Sequence, residues 1–139
     1  REFKSLAENI GVFAVGRKTY EAVKEWGEKG FKDVKAKRII LSRKENFEPD
    51  EDYLKASSPE EAVKIAEKEG FEKLLVTGGA SVNTSFLEKE LVDEIILDIQ
   101  PHILGRGLNI FAEGDFEESL NLNQVKELEE GIIQLRYTL

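Results

Sequence analysis

The sequence predicts an α/β domain with a mostly parallel central sheet that finishes in an antiparallel hairpin. Two patterns carry that prediction. Short unbroken apolar runs, such as Gly11-Val12-Phe13-Ala14-Val15 and the Ile39-Ile40-Leu41 that follows Arg38, suit strands covered on both faces, and they alternate with amphipathic helical segments. Residues 120–139 alternate instead around Glu129-Glu130-Gly131, the signature of a hairpin.

Each element follows from local chemistry. Glu2 to Glu8 places Phe3, Leu6 and Ala7 at helical spacing, and the strand at 11–15 ends in Gly16-Arg17-Lys18-Thr19. A short amphipathic helix then runs from about Thr19 to Glu28. Beyond a polar loop at 29–37, the strand at Arg38 closes with Ser42 and Arg43, an acidic loop spans 46–52, and Tyr53 to Ala56 forms a short edge strand. Ser58-Pro59-Glu60-Glu61 starts the next helix: Ser58 caps, Pro59 takes the first helical position and Glu61 completes a capping box. Ala62, Val63, Ile65 and Ala66 face the core until Gly70 closes that helix. A strand from Lys73 to Thr77 halts at Gly78-Gly79, and a helix from Ser81 to Glu90 begins at once. The strand Ile95 to Ile99 precedes Pro101, Gly105 and Gly107, glycines that suggest backbone held close to something. Asn123 to Leu128 and Ile132 to Thr138 complete the hairpin. Strand, helix and strand in this succession imply parallel pairing through right-handed crossovers.

Composition narrows the classes of function. A length of 139 residues, 40% apolar and 35% charged, bounds the chain to one globular domain with no segment long enough to span a bilayer. With 28 acidic against 20 basic side chains the net charge is -8, a field that disfavours nucleic acid and anionic membranes. No cysteine is present, which removes disulfides and thiolate metal sites and points to the cytoplasm. His102 is the only histidine, so a multi-histidine metal site is excluded. Abundant Glu and Lys with few Asn, Gln, Cys or Met is a composition seen in heat-adapted proteins. Methionine is absent, and a chain without an initiator is expected to lack part of its N-terminus.

Three strand ends carry chemistry. At Gly78-Gly79-Ala80-Ser81-Val82, backbone free of Cβ atoms meets a helix start, an arrangement that lets amide N–H groups approach an anion. At Gly16-Arg17-Lys18-Thr19, two cations and a hydroxyl open a helix. Cations there oppose the macrodipole, so either a bound phosphate resolves the conflict or both side chains point into water. Ser42 and Arg43 add a hydroxyl and a guanidinium, whose planar fork matches phosphate. All three junctions fall at carboxyl ends of strands, the ligand side of an open α/β sheet. Neither G-x-G-x-x-G nor G-x-x-x-x-G-K-[ST] occurs, so the usual dinucleotide fingerprint and the P-loop are both excluded.

Taken together, Gly16-Arg17-Lys18-Thr19-Tyr20-Glu21, Arg38 to Arg43, Val76 to Val82, Leu91-Val92-Asp93-Glu94-Ile95 and Pro101 to Gly107 resemble the dihydrofolate reductase superfamily, in the version of the riboflavin-biosynthesis reductase domain. The resemblance spans nearly the whole chain and implies a three-layer dihydrofolate reductase-like fold as a single domain over 1–139 that lacks the family's first strand and loop. It also implies an NADPH-dependent reductase acting on a pteridine, pyrimidine or related imine or carbonyl. In that reading Arg17, Lys18 and Thr19 hold cofactor phosphates, with Gly16 at the strand end. Ser42 and Arg43 lie near the adenosine ribose phosphate, and Gly78, Gly79, Ala80, Ser81 and Val82 cradle the pyrophosphate. Two positions depart from the relatives: Asn83 stands where true dihydrofolate reductases carry an aromatic residue, and Thr77 where riboflavin-pathway reductases commonly carry Glu. No catalytic residue is assigned, and the other class of function is a non-catalytic nucleotide-binding module. The expected partners are a small-molecule substrate and, in a homodimer, a second copy joined through the C-terminal strands.

Overall fold

The computed structural model describes residues 2–26, 34–44, 47–49 and 53–139. The expected end of the second helix at Glu28 and most of the loops at 29–37 and 46–52 lie outside these residues. Helix α1 (Glu2–Ile10), strand β1 (Val12–Gly16), helix α2 (Arg17–Trp26), strands β2 (Lys37–Leu41) and β3 (Tyr53–Ala56), and helix α3 (Pro59–Lys68) follow the predicted order. Strand β4 (Leu75–Val76), helix α4 (Ala80–Glu88), strands β5 (Glu94–Ile99) and β6 (Asn121–Glu127), a single 3₁₀ turn and strand β7 (Ile133–Thr138) complete the chain.

Strands β3, β2, β1 and β4 form a parallel sheet in that order. All five residues of β1 are buried, as the unbroken apolar run requires. Alternate side chains feed two cores. On one face Val12, Ala14, Ile39 and Leu41 pack with Ala62 and Ala66 of α3 and Phe86 of α4. On the other, Phe13, Val15 and Ile40 pack with Ala7 of α1 and Tyr20 of α2. This is the three-layer arrangement, with α3 and α4 over one face of the sheet and α1 and α2 over the other.

The capping box at α3 forms with one change. Ser58 accepts a hydrogen bond from the Glu61 N–H at 3.1 Å, but the Glu61 carboxylate accepts from the N–H and hydroxyl of Ser57 rather than from the cap residue. Ser58→Ala is expected to cost about 1 kcal/mol of stability, read as a lowered midpoint in urea at unchanged slope. At the amino-terminal end of β2, away from the carboxyl ends of the strands, Lys37 pairs with Glu69. The hydrogen bond and charge of that lysine hold the Glu69 carboxyl below its ordinary range.

The antiparallel ending forms a sheet of its own. Strand β5 pairs with β7, and β7 with β6, as a separate three-stranded sheet. The physical reason lies at β4: only Leu75 and Val76 ladder with β1 before the chain turns at the glycine pair. Strand β5, delivered by α4, finds its partner in β7 instead. Gly105 and Gly107 depart from expectation, since a Cβ at either would meet nothing within 4 Å. Residues 100–110 are exposed throughout.

Candidate phosphate-binding site

Parallel pairing in the order β2-β1-β4 places the carboxyl ends of all three strands side by side. Gly16 stands opposite Leu41 in the register, so Ser42 and Arg43 leave the sheet next to the β1 end. On the other side, the Thr77 N–H and hydroxyl both donate to the Ala14 carbonyl, at 3.0 and 3.1 Å. The Gly16 N–H donates to the Gly78 carbonyl at 2.8 Å, which ties the glycine turn to the β1 end.

The turn is built for close backbone approach. Gly78 has φ +110°, a conformation that L side chains rarely adopt, and its peptide bond to Gly79 is cis. A Cβ on Gly16 would lie 2.7 Å from Val82 Cγ2, and one on Gly79 would lie 3.3 Å from Thr19 Oγ1. Gly16, Thr19, Gly78, Gly79 and Val82, scattered over more than sixty positions of sequence, are therefore immediate neighbours.

Two helices start at this point. α2 begins directly after Gly16, and α4 begins at Ala80 with Gly79 as its cap. Neither has an acidic residue in its first turn, and Gly79 brings no side-chain acceptor. The first bond of α4 runs from the Asn83 N–H to the Gly79 carbonyl at 3.0 Å, so the N–H groups of Ala80, Ser81 and Val82 have no acceptor within the helix. Two positive dipole ends thus meet at adjacent strand ends, in surroundings that can accept an anion.

The predicted side chains take different positions. Lys18, Arg43 and Ser81 are exposed, whereas Thr19 and Ala80 are half-buried. Arg17 neither points free into water nor stands unpaired: its Nη1 donates to Glu21 Oε1 at 2.6 Å, one helical turn on. Ser42 is buried; its N–H donates to the Ala56 carbonyl at 3.0 Å, and its hydroxyl oxygen accepts from the Lys44 N–H at 3.1 Å. That hydroxyl therefore shapes the turn that presents Arg43. His102 lies on the exposed segment after β5.

Sequence reasoning missed the contacts that two polar residues of α4 make. The Thr84 hydroxyl, in a buried residue, accepts from the Ala112 N–H at 2.8 Å, and Asn83 Nδ2 donates to the Ile110 carbonyl at 2.9 Å. Together they fasten the end of the exposed 100–110 segment to the helix behind the glycine turn. The signal for Thr84 was its spacing three before Leu87, which puts it on the inward side of the helix.

Among the described residues there is no cluster of metal-ligating side chains, and no helix is long and apolar enough to cross a membrane.

Known proteins share this architecture. A protein from Shewanella sp. PV-4 that carries a provisional riboflavin-biosynthesis name superimposes with a TM-score of 0.81 at 23% identity, covering 98% of this chain and 77% of that one. The diaminohydroxyphosphoribosylaminopyrimidine deaminase/5-amino-6-(5-phosphoribosylamino)uracil reductase of Thermotoga maritima gives 0.69 at 15% identity, over 99% and 47% of the two chains. At such identities the likeness establishes the fold. In sequence, the uncharacterized YyaP of Bacillus subtilis (strain 168) is 31% identical over 104 residues, 73% of this chain and 54% of YyaP. The chain thus spans about half the length of that relative. The family model described as the RibD C-terminal domain matches residues 1–134, so the chain belongs to the RibD C-terminal domain family, with its dihydrofolate reductase-like fold.

Proposed function

We propose that the protein is an NADPH-dependent reductase that passes hydride to a pteridine, pyrimidine or related imine or carbonyl. The observation that carries this reading is the pair of helix N-termini set beside bare glycine backbone at adjacent strand ends. The donor set suits a ligand with separated phosphates. Amides 80–82 would take a pyrophosphate, Arg17, Lys18 and Thr19 its flank, and Arg43, presented by the Ser42 turn, a ribose phosphate. The Arg17–Glu21 pair does not oppose this role: an exposed pair one helical turn apart contributes about 0.3–0.5 kcal/mol. A charge-assisted hydrogen bond to phosphate contributes about 1.5–3 kcal/mol, enough to displace Glu21.

When bound, the nicotinamide supplies the hydride; the protein's part is to orient it against an electron-poor carbon and hold the phosphates still. The activity named for the Thermotoga maritima protein, reduction of a phosphoribosylaminouracil, is one instance of the chemistry proposed here.

Calorimetric titration of NADPH against NADH tests the site. Wild type is expected to prefer NADPH. Arg43→Ala is expected to weaken NADPH about tenfold or more, ~1.4 kcal/mol, with NADH little changed. No NADPH binding at millimolar concentration would end the reading. Binding without NADPH oxidation, in the presence of dihydrofolate or a diaminopyrimidine ribose phosphate, would reduce it to a non-catalytic nucleotide-binding module.

A further inference from the structure

Strand β4 ladders with β1 only through Leu75 and Val76, and Thr77 follows at the strand's end, directly before the glycine turn. Parallel strands exchange evenly spaced hydrogen bonds, so with Ala14 opposite Val76 the Thr77 N–H donates to the Ala14 carbonyl, at 3.0 Å. The next rung of an unbroken ladder would run from the Gly16 N–H to the Thr77 carbonyl. It runs to the Gly78 carbonyl instead, at 2.8 Å, so β4 gains one residue on β1 between two successive rungs. Gly78, with φ +110°, takes up the extra residue.

Backbone bonding alone specifies the place of this slip weakly, because β4 is two residues long and the rungs on either side of the slip belong to different registers. The Thr77 hydroxyl removes the ambiguity. Its Oγ1 donates to the same Ala14 carbonyl at 3.1 Å, so one residue satisfies both lone pairs of a carbonyl whose own residue is fully buried. The turn has little room to sit elsewhere: a Cβ on Gly16 would lie 2.7 Å from Val82 Cγ2, and one on Gly79 3.3 Å from Thr19 Oγ1. The chain enters α4 three residues after Thr77, at Ala80, so the place where Thr77 is fixed decides where the N–H groups of 80–82 stand.

We propose that Thr77 is a positioning residue of the candidate site: its hydroxyl, held by the Ala14 carbonyl, sets the glycine turn and thereby the amides that receive a ligand phosphate. The consequence for ligand rests on the reductase reading above, whereas the consequence for the turn does not. Thr77→Val keeps the β-branched shape and loses only the donor. Its methyl group needs more than 3.1 Å from the Ala14 oxygen, so the end of β4 draws back and the turn moves with it. Thr77→Ser keeps the hydroxyl and is the rescuing variant.

Amide hydrogen exchange on the protein without ligand is the first test. In Thr77→Val the Gly16 N–H, whose acceptor is Gly78, is expected to lose protection about fivefold, the change that corresponds to one neutral hydrogen bond. The Ser42 N–H, bonded to Ala56 at the other side of the sheet, is expected to keep its protection. Calorimetric titration of NADPH is the second test: Thr77→Val is expected to bind about fivefold more weakly than wild type, and Thr77→Ser like wild type. If wild type bound no NADPH while the exchange result held, the reductase reading would fall and the role of Thr77 in the turn would stand. Unchanged protection at Gly16 in Thr77→Val, equal loss at Gly16 and Ser42, no recovery in Thr77→Ser, or equal NADPH affinity in wild type and Thr77→Val would each overturn the proposal.

Discussion

Gly16→Ala is expected to damage stability and the candidate site together, by about 1–3 kcal/mol. The added Cβ would sit 2.7 Å from Val82 Cγ2, with the Gly78 carbonyl at 3.7 Å and the Gly79 nitrogen at 3.8 Å close behind. Val82 is fixed in the first turn of α4, and Gly16 is held by its 2.8 Å hydrogen bond to Gly78. Neither side can yield without separating β1 from the glycine turn. The check is a double-mutant cycle in urea: Val82→Ala alone removes apolar contact, but combined with Gly16→Ala it makes room for the new methyl. A coupling of about 0.5–3 kcal/mol in the restoring sense is expected. If the two effects simply add, the close approach of these residues is wrong. NADPH affinity should fall in Gly16→Ala and recover in the double variant, because the same displacement moves the amides at 80–82.

Phe86→Ala is expected to have the larger effect on stability, about 3–5 kcal/mol. Its side chain is 1% exposed and joins the cluster formed by β1, β2, β3 and α3. It is also the chief anchor of α4, whose neighbours Thr84 and Leu87 are the helix's other buried residues. A loss of that size is a large share of the roughly 5–15 kcal/mol that stabilises an ordinary domain. Chemical denaturation measures the loss. The surviving folded fraction should bind NADPH more weakly, since the helix that presents the amides has lost its seat. A cost below about 1 kcal/mol would mean that α4 does not pack on the sheet through this residue.

These two residues mark what could be read before the fold was known. Phe86 was legible: a helix with Phe86 and Leu87 at adjacent positions must turn that side inward. Gly16 was legible only in type, as a glycine where a strand gives way to a helix; that it lies under Val82, sixty-six positions later, is a property of β1 and β4 being neighbours. Arg17 shows the limit of reasoning from local charge. Its position at a helix start pointed to a phosphate or to water, and the structure adds a third choice, Glu21, because residues four apart on a helix meet whatever else is near. Ser42 was singled out for its hydroxyl, yet that oxygen accepts from the Lys44 N–H, and it is the turn so formed that presents Arg43.

The sequence by itself determined the alternation of buried strands and amphipathic helices, the glycine turn, the cap of α3 and the antiparallel ending. Each is a matter of neighbouring residues: periodicity, missing Cβ atoms, a serine before a proline. Only the tertiary structure decided which strands adjoin, and hence that the ends of β2, β1 and β4 stand together while β5 leaves the parallel sheet to pair with β7. Strand adjacency depends on which faces bury the most surface together, a sum over the whole chain that no local pattern contains.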